Sequence, residues 1–240
     1  LITLAIISIA LLFNFESITL RVVLIGLAAG VIGGLGLPFI YQAFSIGSVS
    51  FVSPVATLVQ TFNLILFAVI VENEQLSITF PIAAGLGTIG IYLCSRQAKG
   101  NQPVTFSIFL LAATAAIFFS GFSFIATEID NSQILGGLVG ARFGVFALTF
   151  VFPPKKGLVI PNGGEYKKYA LLSGTCEVIA NIFFMIAINN LELSKVGIFM
   201  ASAPALSTLI AIKMLHQRPS ITNWVGIAAS SGALAIIALS

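Results

Sequence analysis

Long apolar runs alternate with short polar breaks along the whole chain. A helix needs about 20 apolar residues to cross a bilayer core about 30 Å thick, whereas the in–out alternation of a membrane barrel, about ten residues per strand, is absent. The pattern therefore predicts an all-α, polytopic membrane helix bundle with about nine transmembrane helices. The expected spans are Leu1–Phe13, Val22–Phe44, Val49–Val71, Ile78–Leu93, Val104–Thr127, Ile134–Phe152, Tyr169–Ile188, Val196–Leu215 and Trp224–Leu239.

The composition supports this interpretation. Of the 240 residues, 58% are hydrophobic and only 8% are charged, and the mean hydropathy is +1.09. Because soluble domains carry about 25% charged residues, a water-soluble fold is excluded, and so are disorder and a disulfide scaffold. Positions 22 to 71 contain no charged residue at all.

The loop charges are distributed unequally between two alternating sets of loops. One set is basic and contains Arg96, Lys99, Lys155, Lys156, Lys167, Lys168, Lys213 and Arg218. The other is mainly acidic and contains Glu16, Glu72, Glu74, Glu128, Asp130 and Glu192, with Arg21 and Lys195. This bias predicts a cytoplasmic basic side. The net charge of +3 therefore reflects topology, and we expect a lipid bilayer and no nucleic acid as the partner.

Two halves of the chain read alike. The tripeptide Ser-Ile-Thr occurs at residues 77–79 and again at 220–222, each time after an apolar span. We expect a first repeat over 1–95 and a second over 103–240, with opposite orientations in the membrane, which is a recurrent plan of transporters. Five helices per half would make ten, so the expectation is that the first helix is missing from the front.

Small residues recur at helical spacing within the spans. Gly26 and Gly30 stand four apart, and so do Gly136, Gly140 and Gly144. Such ridges allow helices to approach closely in lipid, and we therefore expect them to pack.

The same halves carry a resemblance to a known family. In the first half the relevant residues are Ala43, Gly47, Val49, Ser50, Pro54, Glu74 and Leu76. In the second they are Ala141-Arg142-Phe143, Gly174, Glu177, Ala180, Asn181, Ala187, Ser202, Pro204, Leu209, Ala211, Leu215, Arg218, Gly226 and Gly232. The chain resembles the EamA domain of the drug/metabolite transporter superfamily, more closely in its second half.

The resemblance implies ten helices in two inverted five-helix repeats and export of metabolites, amino acids or drugs. The chain departs from the family pattern where Gln217 replaces a glutamate, and the first half lacks a counterpart of Arg142. The family's carboxyl terminus is cytoplasmic, whereas the charge bias places Ser240 outside. Orientation therefore stays open at this point.

Two charged residues lie inside spans and are the main functional candidates. Arg142 lies well inside the span Ile134–Phe152, and Glu177 is the one acid within an apolar run. A charge at that depth normally faces a cavity or a partner. For Arg142 the alternative is snorkelling to the interface. For Glu177 we weigh a proton-coupling role against a structural role as partner of Arg142 or of a backbone donor.

Five polar residues complete the predicted substrate-binding set. Asn181 shares a helix face with Glu177, and Tyr41, Gln42, Gln60 and Asn63 lie deep in the charge-free run. Together they could line a central cavity with apolar walls and few polar anchors. The alternative for each is an interhelical hydrogen bond.

Other motifs point to no cofactor, metal or catalytic site. The string Gly85–Gly90 resembles a dinucleotide fingerprint but lies within a span without a preceding strand. His216 is the single histidine and cannot form a pair of metal ligands. Cys94 and Cys176 fall in separate apolar spans and indicate packing.

The sequence therefore predicts a non-enzymatic secondary transporter without ATP-binding elements. We expect it to export a small organic solute by alternating access, with protons as a candidate coupling ion, in a bacterial inner or plasma membrane. The alternative is a non-transporting assembly subunit or an inactive truncated remnant. Oligomeric state and substrate identity stay open.

Overall fold

The fold is described here from a computed structural model for residues 18–47, 49–95, 105–151, 164–200, 203 and 221–238. In these ranges the regular secondary structure is helical, with eight α-helices. They are α1 Leu20–Ile46, α2 Val49–Ile70, α3 Phe80–Ser95, α4 Phe106–Ala126, α5 Ile134–Val151, α6 Gly164–Asn190, α7 Leu193–Met200 and α8 Ile221–Ala238, with a short 3-10 helix at Asn131–Gln133 before α5.

The helices follow the predicted spans closely. The break predicted at Ser45–Ser48 separates α1 from α2, and the all-α fold class is confirmed. Among the described residues, three helical segments are long and apolar enough to cross a membrane, namely Leu20–Ile46, Phe106–Ala126 and Lys167–Asn190. The predicted span Leu1–Phe13 and most of Val196–Leu215 lie outside the described residues, so the number of nine crossings stays a prediction.

The chain divides into two compact units. Unit 1 comprises Leu1–Leu35 and Gly121–Asn190, and unit 2 comprises Gly36–Ser120 and Leu191–Ser240. Helices α1 and α4 each contribute one part to each unit. This division follows spatial contacts and is not the division into the repeats 1–95 and 103–240, whose boundaries stay a prediction.

Unit 1 is built on a close contact between the first part of α1 and α5. A Cβ placed on Gly26 would collide with the backbone of Gly137, and one on Gly30 with the backbone of Ala141. In return, a Cβ on Gly140 would collide with the Val23 carbonyl oxygen. The close approach predicted from the spacing of small residues is confirmed for these positions, and packing of this kind drives helix association in lipid.

Asparagines at the end of α6 hold the segment that leads into α5. The Asn189 side chain donates to the Ile129 carbonyl oxygen at 2.8 Å, and the Asn190 side chain donates to Asn131 Oδ1 at 3.2 Å. Ile129 itself is buried. These contacts set the start of α5 against the end of α6, and the two helices continue side by side from there.

Unit 2 has two apolar clusters. The first packs α1, α2 and α4 through Ile40, Ala43, Val52, Ala56, Ile108, Ala112, Ala115 and Ala116. The second joins α3, α7 and α8 through Phe80, Ala83, Ile198 and Ala233. Alanine is the most frequent residue in the first cluster and supplies half of the second, and short side chains allow membrane helices to approach closely.

One long-range polar contact orders the loop of unit 2. Asn73 adopts a left-handed φ of 54°, which asparagine tolerates better than most residues, and the chain turns there after α2. The following carboxylate, Glu74, accepts hydrogen bonds from the backbone N–H groups of Leu193 at 2.7 Å and Ser194 at 3.2 Å. Glu74 thereby caps the start of α7, where free N–H groups favour a negative charge.

Candidate functional site

The two charged residues predicted inside spans form an ion pair in unit 1. Arg142 Nη1 on α5 donates to Glu177 Oε1 on α6 at 2.6 Å. The Arg142 side chain is 14% exposed and the Glu177 side chain 48%. The Arg142 side chain is therefore largely enclosed by protein, while the carboxylate is open on one side.

The glycine contact with α1 explains why Arg142 faces α6. Gly140 and Gly144 turn one side of α5 toward α1. Each residue advances about 100° around a helix, so Arg142, midway between them in sequence, emerges on the opposite side. The packing of Gly140 and Gly144 against α1 thus directs the Arg142 side chain away from α1.

The predicted location of the pair, within two membrane spans, would penalise an isolated charge. A charge inside the bilayer costs about 2.5–3.5 kcal/mol on insertion scales, and removing one partner of a fully buried pair costs about 3–5 kcal/mol. Because Glu177 is half exposed, the loss here is expected below that range. The pair itself is electrically neutral.

The Arg142 guanidinium has more hydrogen-bond donors than it finds acceptors among the described residues. A guanidinium carries about five N–H donors, and the contact with Glu177 uses one of them. Its Nε is covered by protein and finds no acceptor among the residues that the structure describes. An unsatisfied buried donor costs about 1–3 kcal/mol, so the arrangement is incomplete around the arginine.

Asn181 lies one helical turn after Glu177. Its Nδ2 donates to the Glu177 backbone carbonyl at 2.7 Å, so the amide is fixed beside the ion pair with Oδ1 as a further acceptor. The structure thus brings together three of the seven predicted site residues, Arg142, Glu177 and Asn181, on two adjacent helices.

The other four predicted residues belong to unit 2. Tyr41 is 65% exposed, Gln42 is exposed, and Gln60 is partly buried. Asn63 donates from Nδ2 to Ser120 Oγ at 3.2 Å, which is the interhelical hydrogen bond that the alternative interpretation foresaw. A substrate-binding role for these four stays a prediction.

Two polar contacts of unit 2 were not predicted. Besides the Glu74 cap, Thr61 Oγ1 donates to the Gly197 carbonyl at 3.0 Å in a buried position. Glu74 had stood out only as one of the acidic loop charges and through the family resemblance, and Thr61 is one of several hydroxyls in apolar runs. Both partners lie more than a hundred residues away in sequence, and nothing in the local pattern indicates such pairings.

Unit 2 also contains a small apolar cavity. It lies between α2, α3 and α7, has a volume of about 90 Å³, and is lined by Thr61 and Thr88 among apolar side chains. Ligand pockets usually measure about 300–1,000 Å³. The cavity is too small for an organic metabolite and contains none of the predicted site residues.

The described part of the chain contains no group of three or more His, Cys, Asp or Glu residues that could hold a metal ion. Cys176 is an exposed free thiol. His216 and the Cys94 side chain lie outside what the structure describes. The chemistry available at the ion pair is therefore charge pairing, hydrogen bonding and protonation.

A family model, the EamA-like transporter family, matches residues 106–239. This match covers more than half of the chain and includes Arg142, Glu177 and Asn181. The chain belongs to the EamA-like transporter family. The resemblance noted from the sequence is thereby confirmed, and the matched segment corresponds to the half in which that resemblance was closer.

The EamA chain also shares its fold with a protein of known crystal structure. The two are 19% identical with a TM-score of 0.66, over 99% of this chain and 97% of the other. At this identity the likeness shows the fold alone. No curated protein matches the sequence.

Family membership and the apolar helices together identify an integral membrane protein. Members of this family are transporters and not enzymes. Glu177 lies on one of the three described segments that are long and apolar enough to cross a membrane, whereas the location of Arg142 within the membrane stays a prediction.

Proposed function

We propose that this protein is a secondary transporter that exports a small organic metabolite across a bacterial inner membrane, with the Arg142–Glu177 pair as the centre of its substrate site. The observation that carries the proposal is the ion pair at 2.6 Å inside the segment that matches the transporter family. Intramembrane ionisable residues usually mark a substrate or ion pathway.

The exposure of the pair supports this assignment. A purely structural ion pair within a membrane is most stable when both partners are enclosed and fully hydrogen-bonded. Here Glu177 is half exposed and Arg142 Nε lacks an acceptor in the described part of the chain. Both features suit a site that exchanges partners during a cycle.

The driving force in this proposal is an ion or solute gradient. The sequence contains no phosphate-binding loop, and protons are the proposed coupling ion because Glu177 is an accessible carboxylate. Protonation removes its charge and thereby weakens its attraction to Arg142.

Alternating access would arise from two inverted repeats over 1–95 and 103–240. The recurrence of Ser-Ile-Thr at matching places in both halves supports this plan, as does the use of inverted repeats in other transporters. Tyr41, Gln42, Gln60 and Asn63 would add polar groups from the first repeat.

The proposal is tested with purified protein in liposomes loaded with a defined mixture of amino acids, organic acids and amines. We expect release of at least one solute, measured by mass spectrometry, and loss of that release in Arg142→Ala. Arg21→Ala, an arginine at the exposed start of α1, is the matched control. Release by neither wild type nor control at normal folding would favour the non-transporting subunit.

A further inference from the structure

The number of free donors on Arg142 indicates what kind of group the site lacks. Among the described residues the guanidinium makes one hydrogen bond, to Glu177, and its covered Nε finds no acceptor there. Donors of a guanidinium match the oxygens of a carboxylate, with which arginine often pairs through two parallel bonds. The unsatisfied donor is itself covered, so a carboxylate of the solute can reach it only when the Arg142–Glu177 contact opens.

The charge count limits how a carboxylate can be accommodated. Arg142 and Glu177 together are neutral, and a bound monocarboxylate alone would leave one uncompensated negative charge in a low-dielectric region, which is strongly disfavoured. If Glu177 is protonated at the same time, the sum of Arg142, Glu177 and solute returns to zero. Proton and anion thus stabilise each other at this site.

The surroundings of Glu177 suit such a protonation. The side chain is 48% exposed, so protein does not enclose the carboxylate. One turn further along α6, the Asn181 amide is held through its Nδ2. Its Oδ1 accepts no hydrogen bond from any described residue, and Asn181 lies on the same helix face as Glu177.

Among the side chains that the structure describes, few charged groups lie near Glu177. From α5, the group in contact is Arg142. On α6 itself, Cys176 is adjacent, and Lys167 and Lys168 lie nine or more residues earlier, about 14 Å along the helix axis. The segment before α5 carries Glu128 and Asp130, but it contacts α6 through Asn189 and Asn190, about three turns beyond Glu177. Arg142 is therefore the dominant partner.

From these observations we propose that the site binds a monocarboxylate together with one proton, the solute carboxylate taking the place of Glu177 on Arg142 while Glu177 carries the proton. This inference rests on the proposed transport function for its physiological meaning. In the exchange, the Glu177 carboxylate takes up one proton from the hydronium or buffer acid of the bulk solution, the Arg142–Glu177 contact breaks, and an Arg142–solute contact forms.

The proposal has a consequence for coupling. The loaded site has the same charge as the empty one, so movement of the solute with its proton is electroneutral. A membrane potential therefore does not drive it. Because the solute and its proton move in the same direction, export in this scheme is driven by an outward solute gradient, and a proton gradient directed inward opposes it. A zwitterionic solute would instead occupy both charges without a proton, which makes the two solute classes distinguishable.

The test is a binding measurement that requires no transport. Wild-type protein in lipid nanodiscs is titrated calorimetrically with acetate, butyrate, benzoate and N-acetylleucine, and with the corresponding neutral amides. Repeating each titration in buffers of different ionisation enthalpy gives the number of protons taken up. Leucine and leucinamide serve as the zwitterionic and cationic counterparts.

We expect at least one carboxylate to bind with uptake of about one proton, and its apparent Kd to rise about tenfold per pH unit on the alkaline side, as linkage requires. In Glu177→Gln, binding should persist without proton uptake and without pH dependence. In Arg142→Gln it should be lost, while Arg21→Gln should behave as wild type.

Three outcomes overturn the proposal: no carboxylate binds, a carboxylate binds without proton uptake, or leucine binds more tightly than N-acetylleucine with no proton. These outcomes are separate from a failure of transport. Proton-linked binding in a protein that moves nothing in liposomes would leave the site assignment intact and would contradict the proposed function alone.

Discussion

The polar side chains within the predicted spans differ between the two units in their charge and in how fully they are hydrogen-bonded. In unit 2, Thr61 and Asn63 are neutral and hydrogen-bonded to Gly197 and Ser120 on other helices. In unit 1, Arg142 and Glu177 are charged, one is half exposed, and one donor has no acceptor in the described part of the chain. Satisfied neutral pairs join helices at modest gain, whereas an incomplete charged pair costs stability and is retained at functional sites.

The largest expected effect follows from removing the arginine. Arg142→Ala eliminates the charge-assisted hydrogen bond to Glu177 and to a bound solute. Such a bond contributes about 1.5–3 kcal/mol, and 1.4 kcal/mol corresponds to about tenfold, so flux should fall about 10- to 100-fold. Flux in liposomes and the thermal midpoint of the purified protein are measured together.

The thermal midpoint decides how this result is interpreted. We expect a folded protein with a moderately lowered midpoint, because Glu177 retains access to its surroundings. Arg21→Ala should match wild type in both measurements. A variant that fails to fold would show that the ion pair only joins helices, as the Thr61–Gly197 and Asn63–Ser120 contacts of unit 2 do.

A second prediction concerns Glu177. Glu177→Gln preserves shape and removes the titratable carboxyl group. If this group couples protons, flux should lose its dependence on pH, whereas wild type should change about tenfold per pH unit, one proton being linked to transport. Flux is measured across pH 5 to about 9. Unchanged pH dependence with normal flux contradicts the coupling role.

A third prediction tests the contact that orients Arg142. In Gly140→Ala, the new Cβ meets the Val23 carbonyl oxygen, so α1 and α5 must separate. Overpacking of this kind costs about 1–3 kcal/mol. In Gly85→Ala, a helical glycine with open space around it, stability should stay the same or increase slightly. Thermal midpoints of the two variants are compared, and equal midpoints would contradict the proposed close contact.

The smallest effect is expected in unit 2. Thr61→Val keeps the shape of the side chain and removes the hydrogen bond to Gly197. Interhelical bonds in membranes contribute about 0.6 kcal/mol on average, so stability should fall slightly and flux should not change. Thr88→Val is the control, since its hydroxyl bonds within its own helix. A large loss of flux in Thr61→Val would show that transport depends on the Thr61–Gly197 contact and contradict its purely structural role.

The sequence predicts the helices of this protein well, because the formation of each helix depends on the residues within its own segment. A charge-free run of sufficient length must form a helix in lipid, and the polar break at Ser45–Ser48 ends one helix and starts the next. The glycine spacing also predicted close packing from local sequence, because the spacing alone determines which glycines share one helix face.

The contacts between residues on different helices were harder to predict from the sequence. Arg142 and Glu177 were identified by their charge, but their mutual contact was one of several alternatives, since the rotation of α6 about its axis depends on packing. Glu74 and Thr61 illustrate the limit further, because each bonds a backbone group more than a hundred positions away. Backbone partners carry no signal in the sequence.

The most direct test of the central claim is the charge-swapped protein, Arg142→Glu with Glu177→Arg. The swap keeps a neutral pair between α5 and α6 but moves the guanidinium from its enclosed position on α5 to the exposed one on α6. Flux per folded molecule is measured in liposomes beside the thermal midpoint. Our account predicts a midpoint close to wild type and no transport. Recovery of both fold and transport would contradict it and would show that the pair only joins two helices.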